Sequence, residues 1–217
     1  MTSPRPEHQF YGRRKGKPLR RHHVDLMQNL LPQLAIDMQD PLAGTQVRRW
    51  LEIGFGGGEH LAHQAEINAG VTLIGVEAYM NGVAKLLAHV EEKAISNVRV
   101  HYGDARVLLQ HLPDQSFERI YLLYPDPWPK ERQKKRRIVS ESILLHFHRI
   151  LIPAGKFLFA SDISDYVQWT KHEVAQNAGF SAPNAESEPF ENWVSTRFEI
   201  KAQREGRSSA YLTFVKK

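Results

Sequence analysis

The sequence contains no cysteine. That excludes disulfides and thiolate metal ligands, and points to a reducing compartment, the cytoplasm. It has no apolar run near the roughly 20 residues that span a bilayer. Its first residues, Met1-Thr2-Ser3-Pro4-Arg5, lack the apolar core of a secretory signal. No Gly-x-Ser-x-Gly or P-loop pattern is present, so neither an α/β-hydrolase nucleophile nor a P-loop phosphate site is expected. His60 and His63 stand three apart without an evident third ligand. They read as ordinary surface histidines, and no metal is expected. What remains, 217 residues that are 41% hydrophobic and 24% charged, is one ordinary globular domain with an appended terminal segment.

The net charge of +5 conceals an asymmetry. Residues 5–21 hold seven Lys/Arg against Glu7, and residues 130–137 hold six (Lys130, Arg132, Lys134, Lys135, Arg136, Arg137) against Glu131. The rest of the chain has 16 basic and 22 acidic residues. Positive charge collected into two segments of an otherwise acidic chain points to a polyanion, most plausibly nucleic acid.

Residues 1–18, polar, basic and rich in Pro and Gly, read as a flexible basic arm, with 19–217 as a single domain. Leu19 to Ile36 has helical spacing interrupted near Pro32. After the Asp40-Pro41 linker, strands and helices alternate. Strands are expected over 47–53, 71–76, 98–102, 117–124, 156–160 and 210–215, and helices over 59–69, 80–94, 105–112, 139–151 and 166–178. This alternation predicts a doubly wound, mostly parallel α/β sheet with helices on both faces.

Glu52-Ile53-Gly54-Phe55-Gly56-Gly57-Gly58 follows the first main strand and opens a helix. Glycines there allow positive φ and close approach of a ligand to the backbone. A dinucleotide pyrophosphate would suit such a turn, but the Glu52 carboxylate would repel it and attract a cationic ligand. S-adenosylmethionine (SAM) carries a sulfonium and an ammonium. Glu77 ends the next strand, where an acid can accept from a ribose diol. Asp104, before Ala105, ends the third and is placed to accept from an adenine amine. Each acid alone could cap a helix. Capping does not readily explain one acid after each of four successive strands, Asp126 being the fourth.

Tyr124-Pro125-Asp126-Pro127-Trp128-Pro129-Lys130 lies between a strand and the second basic cluster. Three prolines make it a stiff loop that is neither helix nor central strand. It displays a carboxylate, a π-face and an ammonium at the carboxyl edge of the sheet, where ligands bind in open α/β folds. Asp162 follows a later strand at the same edge. Thr196-Arg197-Phe198-Glu199 puts a hydroxyl, a guanidinium, an aromatic and an acid together, as a base-binding group or, nearly as well, a helix cap.

These pieces, with Gly75-Val76-Glu77, Gly103-Asp104-Ala105, Lys135-Arg136-Arg137 and Ser161-Asp162, closely resemble the bacterial tRNA (guanine-N7-)-methyltransferase family in order and spacing, from about Phe10 onward. The proline loop and the Thr-x-Phe-Glu motif are specific to that family among methyltransferases, whereas the glycine turn is not. The resemblance implies a Rossmann-like, SAM-dependent methyltransferase fold with a seven-stranded sheet, and methylation of a guanine in the tRNA variable loop. It implies cofactor contacts from Glu52, Gly54, Gly56, Glu77, Asp104, Ala105 and Asp126. It implies guanosine contacts from Asp126, Lys130, Asp162, Thr196, Arg197, Phe198 and Glu199, and tRNA contacts from Arg132, Lys134, Lys135, Arg136 and Arg137.

Guanine N7 is a lone-pair acceptor that can take a methyl group without losing a proton, so no catalytic His or Cys is needed. The base becomes cationic, and a fixed carboxylate such as Asp126 would stabilise that charge. Whether Asp126 mainly holds cofactor or base stays open, as does oligomeric state. Two other classes share some features. A nicotinamide-dependent oxidoreductase also uses a glycine turn and a distal acid, but Glu52 and the lack of a hydride-transfer site oppose it. A non-enzymatic RNA-binding module explains the basic segments but not the four acids.

Overall fold

A computed structural model of the chain describes residues 11–177 and 179–217. The amino-terminal part folds as two short helices, α1 (Arg21–Asn29) and α2 (Leu31–Leu34), the second with Pro32 in its first turn. There a missing N–H costs no intrahelical bond. The body then alternates: β1 (Arg49–Ile53), α3 (Glu59–Ile67), β2 (Thr72–Glu77), α4 (Met80–Glu92), β3 (Val98–Tyr102), α5 (Ala105–His111), β4 (Phe117–Leu123), α6 (Glu141–Ile150), β5 (Leu151–Ser161) and α7 (Ser164–Ala175). A short β6 (Asn184–Glu186), α8 (Arg197–Arg204) and β7 (Ala210–Val215) complete it.

The strands form one sheet in the order β3-β2-β1-β4-β5-β7-β6. Six strands make its frame, and the three-residue β6 is added at one edge. β1 to β5 run parallel, and β7 is antiparallel to both β5 and β6. The first five residues of β2 are buried, as expected of a strand covered on both faces. One face packs Leu108, Leu144, Phe147 and Tyr166 from α5, α6 and α7. The other packs Leu61, Val83, Leu86 and Leu87 from α3 and α4, with Leu26 and Leu34 from the first two helices.

The strand order reverses between β1 and β4: β2 and β3 lie to one side of β1, and β4 and β5 to the other. The crevice at this switch point is where such sheets bind ligands. Four elements differ from expectation: β5, the short β6, α8 and a 3-10 helix. β5 begins at Leu151, five residues early. Phe117 pairs with Leu151, but the next pair is Arg119 with Lys156. The intervening Ile152 to Gly155 therefore bulges, with Ala154 left-handed at φ 60°, and Pro153 hides the strand from a sequence reading. The 3-10 helix Glu131–Arg136 is ordered where the sequence shows a polar run, and α8 follows Thr196 as the helix-cap alternative for Thr196–Glu199 implied.

Candidate functional site

The glycine turn leaves β1 with Gly54 at φ 70° and Gly56 at φ 57°, a conformation that an L side chain resists. Gly54 N donates to Val76 O at 2.8 Å, which binds the turn to β2. Glu77, at the end of β2, accepts from Gly56 N at 2.9 Å and Tyr79 N at 2.8 Å. Burial raises its carboxyl above the usual range. Three backbone N–H groups oppose the shift, and the charge of Asp126 adds to it. Asp126 and Glu77 thus feel one another across the switch point. A carboxylate has about four lone-pair sites, so Glu77 can hold the turn through its three backbone bonds and still accept from a ligand hydroxyl.

The proline loop carries Asp126 and Lys130 outward, both exposed. Burial of the surrounding loop still raises the Asp126 carboxyl. Tyr124 and Trp128 are left-handed, at φ 49° and 43°, and Tyr124 N donates to Ala160 O at 2.8 Å. Asp104 caps α5 by accepting from Arg106 N at 3.0 Å, and Arg106 Nη2 reaches its second oxygen at 2.6 Å. The capping role weighed for this acid is therefore real, and Ala105 is buried behind it. Asp162 lies one strand over, held by Arg207 Nε at 2.6 Å.

α8 closes the crevice from above. Thr196 is its N-cap, accepting from Glu199 N at 3.2 Å. Arg197 pairs with Glu59 of α3. Phe198, 56% exposed, lies over Gly56: a Cβ built there would stand 3.6 Å from its ring. A narrow cleft lined by Glu52, Gly54, Gly56, Glu59, Thr196 and Phe198 results. Glu199 points away into the core, accepting from Trp193 Nε1 at 2.7 Å and from the Tyr211 hydroxyl. Tyr211 lies 3.4 Å from the Tyr124 hydroxyl, which donates to Ser209 at 2.8 Å. Burial raises both phenols, Tyr124 to about 12, so they remain protonated donors.

His60 corrects the surface reading given to it. It is 2% exposed, with ring centroids of Tyr121 and Trp193 at 4.9 and 5.1 Å, and its Nδ1 lies 2.7 Å from Glu52 Oε2. A histidine in the first turn of a helix packed on a sheet faces the strands, and spacing to His63 carries no sign of that. Glu52, buried in turn, has one oxygen committed to this pair.

The basic cluster divides. Arg132 and Lys135 are exposed. Lys134 pairs with Glu131 at 2.9 Å and Asp165 at 3.3 Å. The Arg136 guanidinium lies over both Tyr11, at 4.5 Å, and Trp128, at 5.0 Å. Arg137 departs from its expected place on a tRNA-facing surface: it is 4% exposed. Residues 1–10 of the expected arm lie outside the described residues. From Tyr11 onward the segment is docked. Met80 N donates to Arg14 O at 2.9 Å, Gly16 N to Asn81 Oδ1 at 2.9 Å, and Asn81 Nδ2 to Lys17 O at 2.8 Å. The two basic segments therefore meet, at Tyr11 and Arg136, beside the crevice.

Comparison with known proteins agrees with this geometry. Residues 46–212 match a family model described as a putative methyltransferase. A tRNA (guanine-N(7)-)-methyltransferase of Agrobacterium fabrum is 51% identical over 222 residues, covering 96% of this chain and 95% of that one. One from a Ruegeria species is 46% identical, covering 98% and 89%. The chain belongs to the tRNA (guanine-N7-)-methyltransferase family. Among solved structures, the 16S rRNA methyltransferase KamB superposes with a TM-score of 0.59 at 18% identity, covering 94% of this chain and 98% of that one; this likeness concerns the fold. Within the family frame, the match from residue 46 takes in the glycine turn, the four acids, the proline loop and α8. The docked basic segment lies outside it.

Proposed function

We propose that the chain transfers the methyl group of SAM to N7 of a guanine in the tRNA variable loop, in the cytoplasm. The observation that carries this reading is the meeting, at one switch point, of a glycine turn tied to Glu77, the carboxylate of Asp126 and the α8 N-terminus. The residues present fit the cofactor. No atom lies within 4 Å of a Cβ built on Gly54, so the turn is open above its backbone, and the carboxylate of Glu52 lines the cleft beside it, which suits a cationic ligand and opposes a pyrophosphate. Glu77 would take the ribose diol, Asp104 and Ala105 the adenine edge, and Glu52 with Gly54 and Gly56 the methionine end.

Bound SAM supplies a sulfonium-activated methyl group. Asp126 then stabilises the positive charge that the purine acquires. Lys130, Asp162 and the Thr196–Phe198 segment orient the guanosine, and Glu199 acts by fixing α8. No side chain need move a proton. Incubating the protein with labelled SAM and unmodified tRNA, then analysing nucleosides, tests the reading: label in 7-methylguanosine is expected, and its absence sinks the proposal. Tight binding of a nicotinamide cofactor instead would favour the oxidoreductase.

Two variants test its parts. Glu77→Ala removes a charged acceptor worth about 1.5–3 kcal/mol and should weaken SAM binding about tenfold or more; calorimetry giving the wild-type affinity in a folded variant would remove Glu77 from the cofactor site. Arg132→Gln with Lys135→Gln neutralises two exposed cations. It should lower the slope of log affinity for tRNA against log salt by about 1.4–1.8, since each phosphate contact contributes roughly 0.7–0.9. SAM affinity should stay put. An unchanged slope would make these residues a solvated face.

A further inference from the structure

We propose that Arg137 is a positioning residue, which fixes the proline loop and through it Asp126, and that it does not contact tRNA. The side chain is wholly enclosed, at 0% exposure. Nε donates to Pro127 O at 2.9 Å, and Nη2 pairs with Asp165 at the start of α7. The guanidinium lies 4.7 Å from the ring centroid of Tyr166 and 5.2 Å from that of Trp169. Both rings are themselves anchored: Trp169 Nε1 donates to Val139 O at 2.9 Å, and the Tyr166 hydroxyl accepts from Val139 N at 3.5 Å. The Arg137 N–H bonds Lys134 O at 2.9 Å, so the backbone from which the guanidinium reaches is held as well.

The loop needs such a tie. Pro125, Pro127 and Pro129 have no N–H, so the segment cannot stitch itself with backbone bonds. Its ends are held by Tyr124 N on Ala160 O and by Gln133 N on Lys130 O. Between them, the Arg137 bond grips the carbonyl of the residue directly after Asp126. A planar fork between two aromatic faces suits this task, because it can serve two acceptors in fixed directions while both rings stabilise its charge. The same guanidinium holds the Asp165 carboxyl below the usual range.

The inference uses the methyl-transfer reading for its rate measurement only. Arg137→Met keeps an unbranched apolar stem and removes the charge and the donors to Pro127 and Asp165. Asp165→Ala leaves Arg137 in place and frees one side of its fork; Asp165 is 54% exposed, so the substitution opens no cavity, and the guanidinium keeps its bond to Pro127 O and both aromatic rings. Amide exchange over residues 124–131 should quicken at least tenfold in Arg137→Met and less in Asp165→Ala. Single-turnover methyl transfer at saturating SAM and tRNA should fall about tenfold to a hundredfold, as expected when a reacting group is misplaced by an ångström or less. The salt slope of tRNA binding should match wild type. Wild-type exchange in the loop of either folded variant overturns the proposal. So does a salt slope lowered by about one in Arg137→Met, which would make it a phosphate contact. If the wild-type protein forms no 7-methylguanosine, the functional reading fails, while loop exchange still decides the role of Arg137.

Discussion

Asp126→Asn should slow methyl transfer about a hundredfold to a thousandfold, the usual cost of losing one preorganised electrostatic contact. Asparagine keeps the volume and one oxygen, so the backbone held at Tyr124 and Pro127 has no reason to move. The negative charge facing a purine that turns cationic is lost. Coulomb interactions strengthen as water is excluded, and burial by the surrounding loop raises the Asp126 carboxyl. The same shift fixes the pH dependence. A raised carboxyl takes up its proton at a higher pH than an ordinary aspartate, so the wild-type rate should begin to fall there as pH drops, and the variant should be flat over that limb. Single-turnover assays with SAM and tRNA both saturating separate this loss from weakened binding. A wild-type rate for Asp126→Asn under those conditions would reduce Asp126 to part of a structural turn.

The legible parts of the site are those where one residue type is required by local backbone or by position at a strand end. Gly54 and Gly56 are readable because the turn needs positive φ, and Glu77 and Asp126 because strand ends are where sheet ligands lie. The fold was legible for the same reason: β3 and β7 span the expected residues, since buried β-branched and aromatic runs have few alternatives. What was illegible depends on which way a side chain turns. Arg137 belongs to a run of six cations within eight residues, and nothing local separates it from the exposed Arg132 or Lys135. Its burial is decided by Tyr166 and Trp169, about thirty residues later. Glu199 sits in a motif that reads as a ligand contact, yet Trp193 and Tyr211 claim both its oxygens. Tyr11 to Lys17 reads as an arm because its sequence is polar, and its docking depends on the distant Asn81 and Arg136.

Gly82, which no motif singles out, should prove as important to the cofactor as the glycine turn itself. It lies in the first turn of α4, and a Cβ built there would stand 2.2 Å from Gly56 O, 3.1 Å from Gly56 C and 3.3 Å from Glu77 Cγ. The clash is with backbone, so no side-chain rotation relieves it. Either α4 shifts away from the turn or the Gly56 peptide rotates. Each movement breaks the 2.9 Å bond from Gly56 N to Glu77, so the parts that would hold the methionine and ribose ends are disturbed together. Helix propensity alone favours Gly82→Ala by about 1 kcal/mol, and overpacking opposes it by about 1–3 kcal/mol. Net stability should therefore fall by about 0–2 kcal/mol, while SAM affinity falls about a hundredfold, equivalent to about 2.8 kcal/mol. Gly70→Ala is the matched control, since nothing lies within 4 Å of a Cβ at that position; its affinity should equal wild type. Calorimetric titration of both variants with SAM, alongside their melting temperatures, decides the matter. Equal affinities for Gly82→Ala and Gly70→Ala would show that the close approach of α4 to Gly56 does not shape the cofactor site.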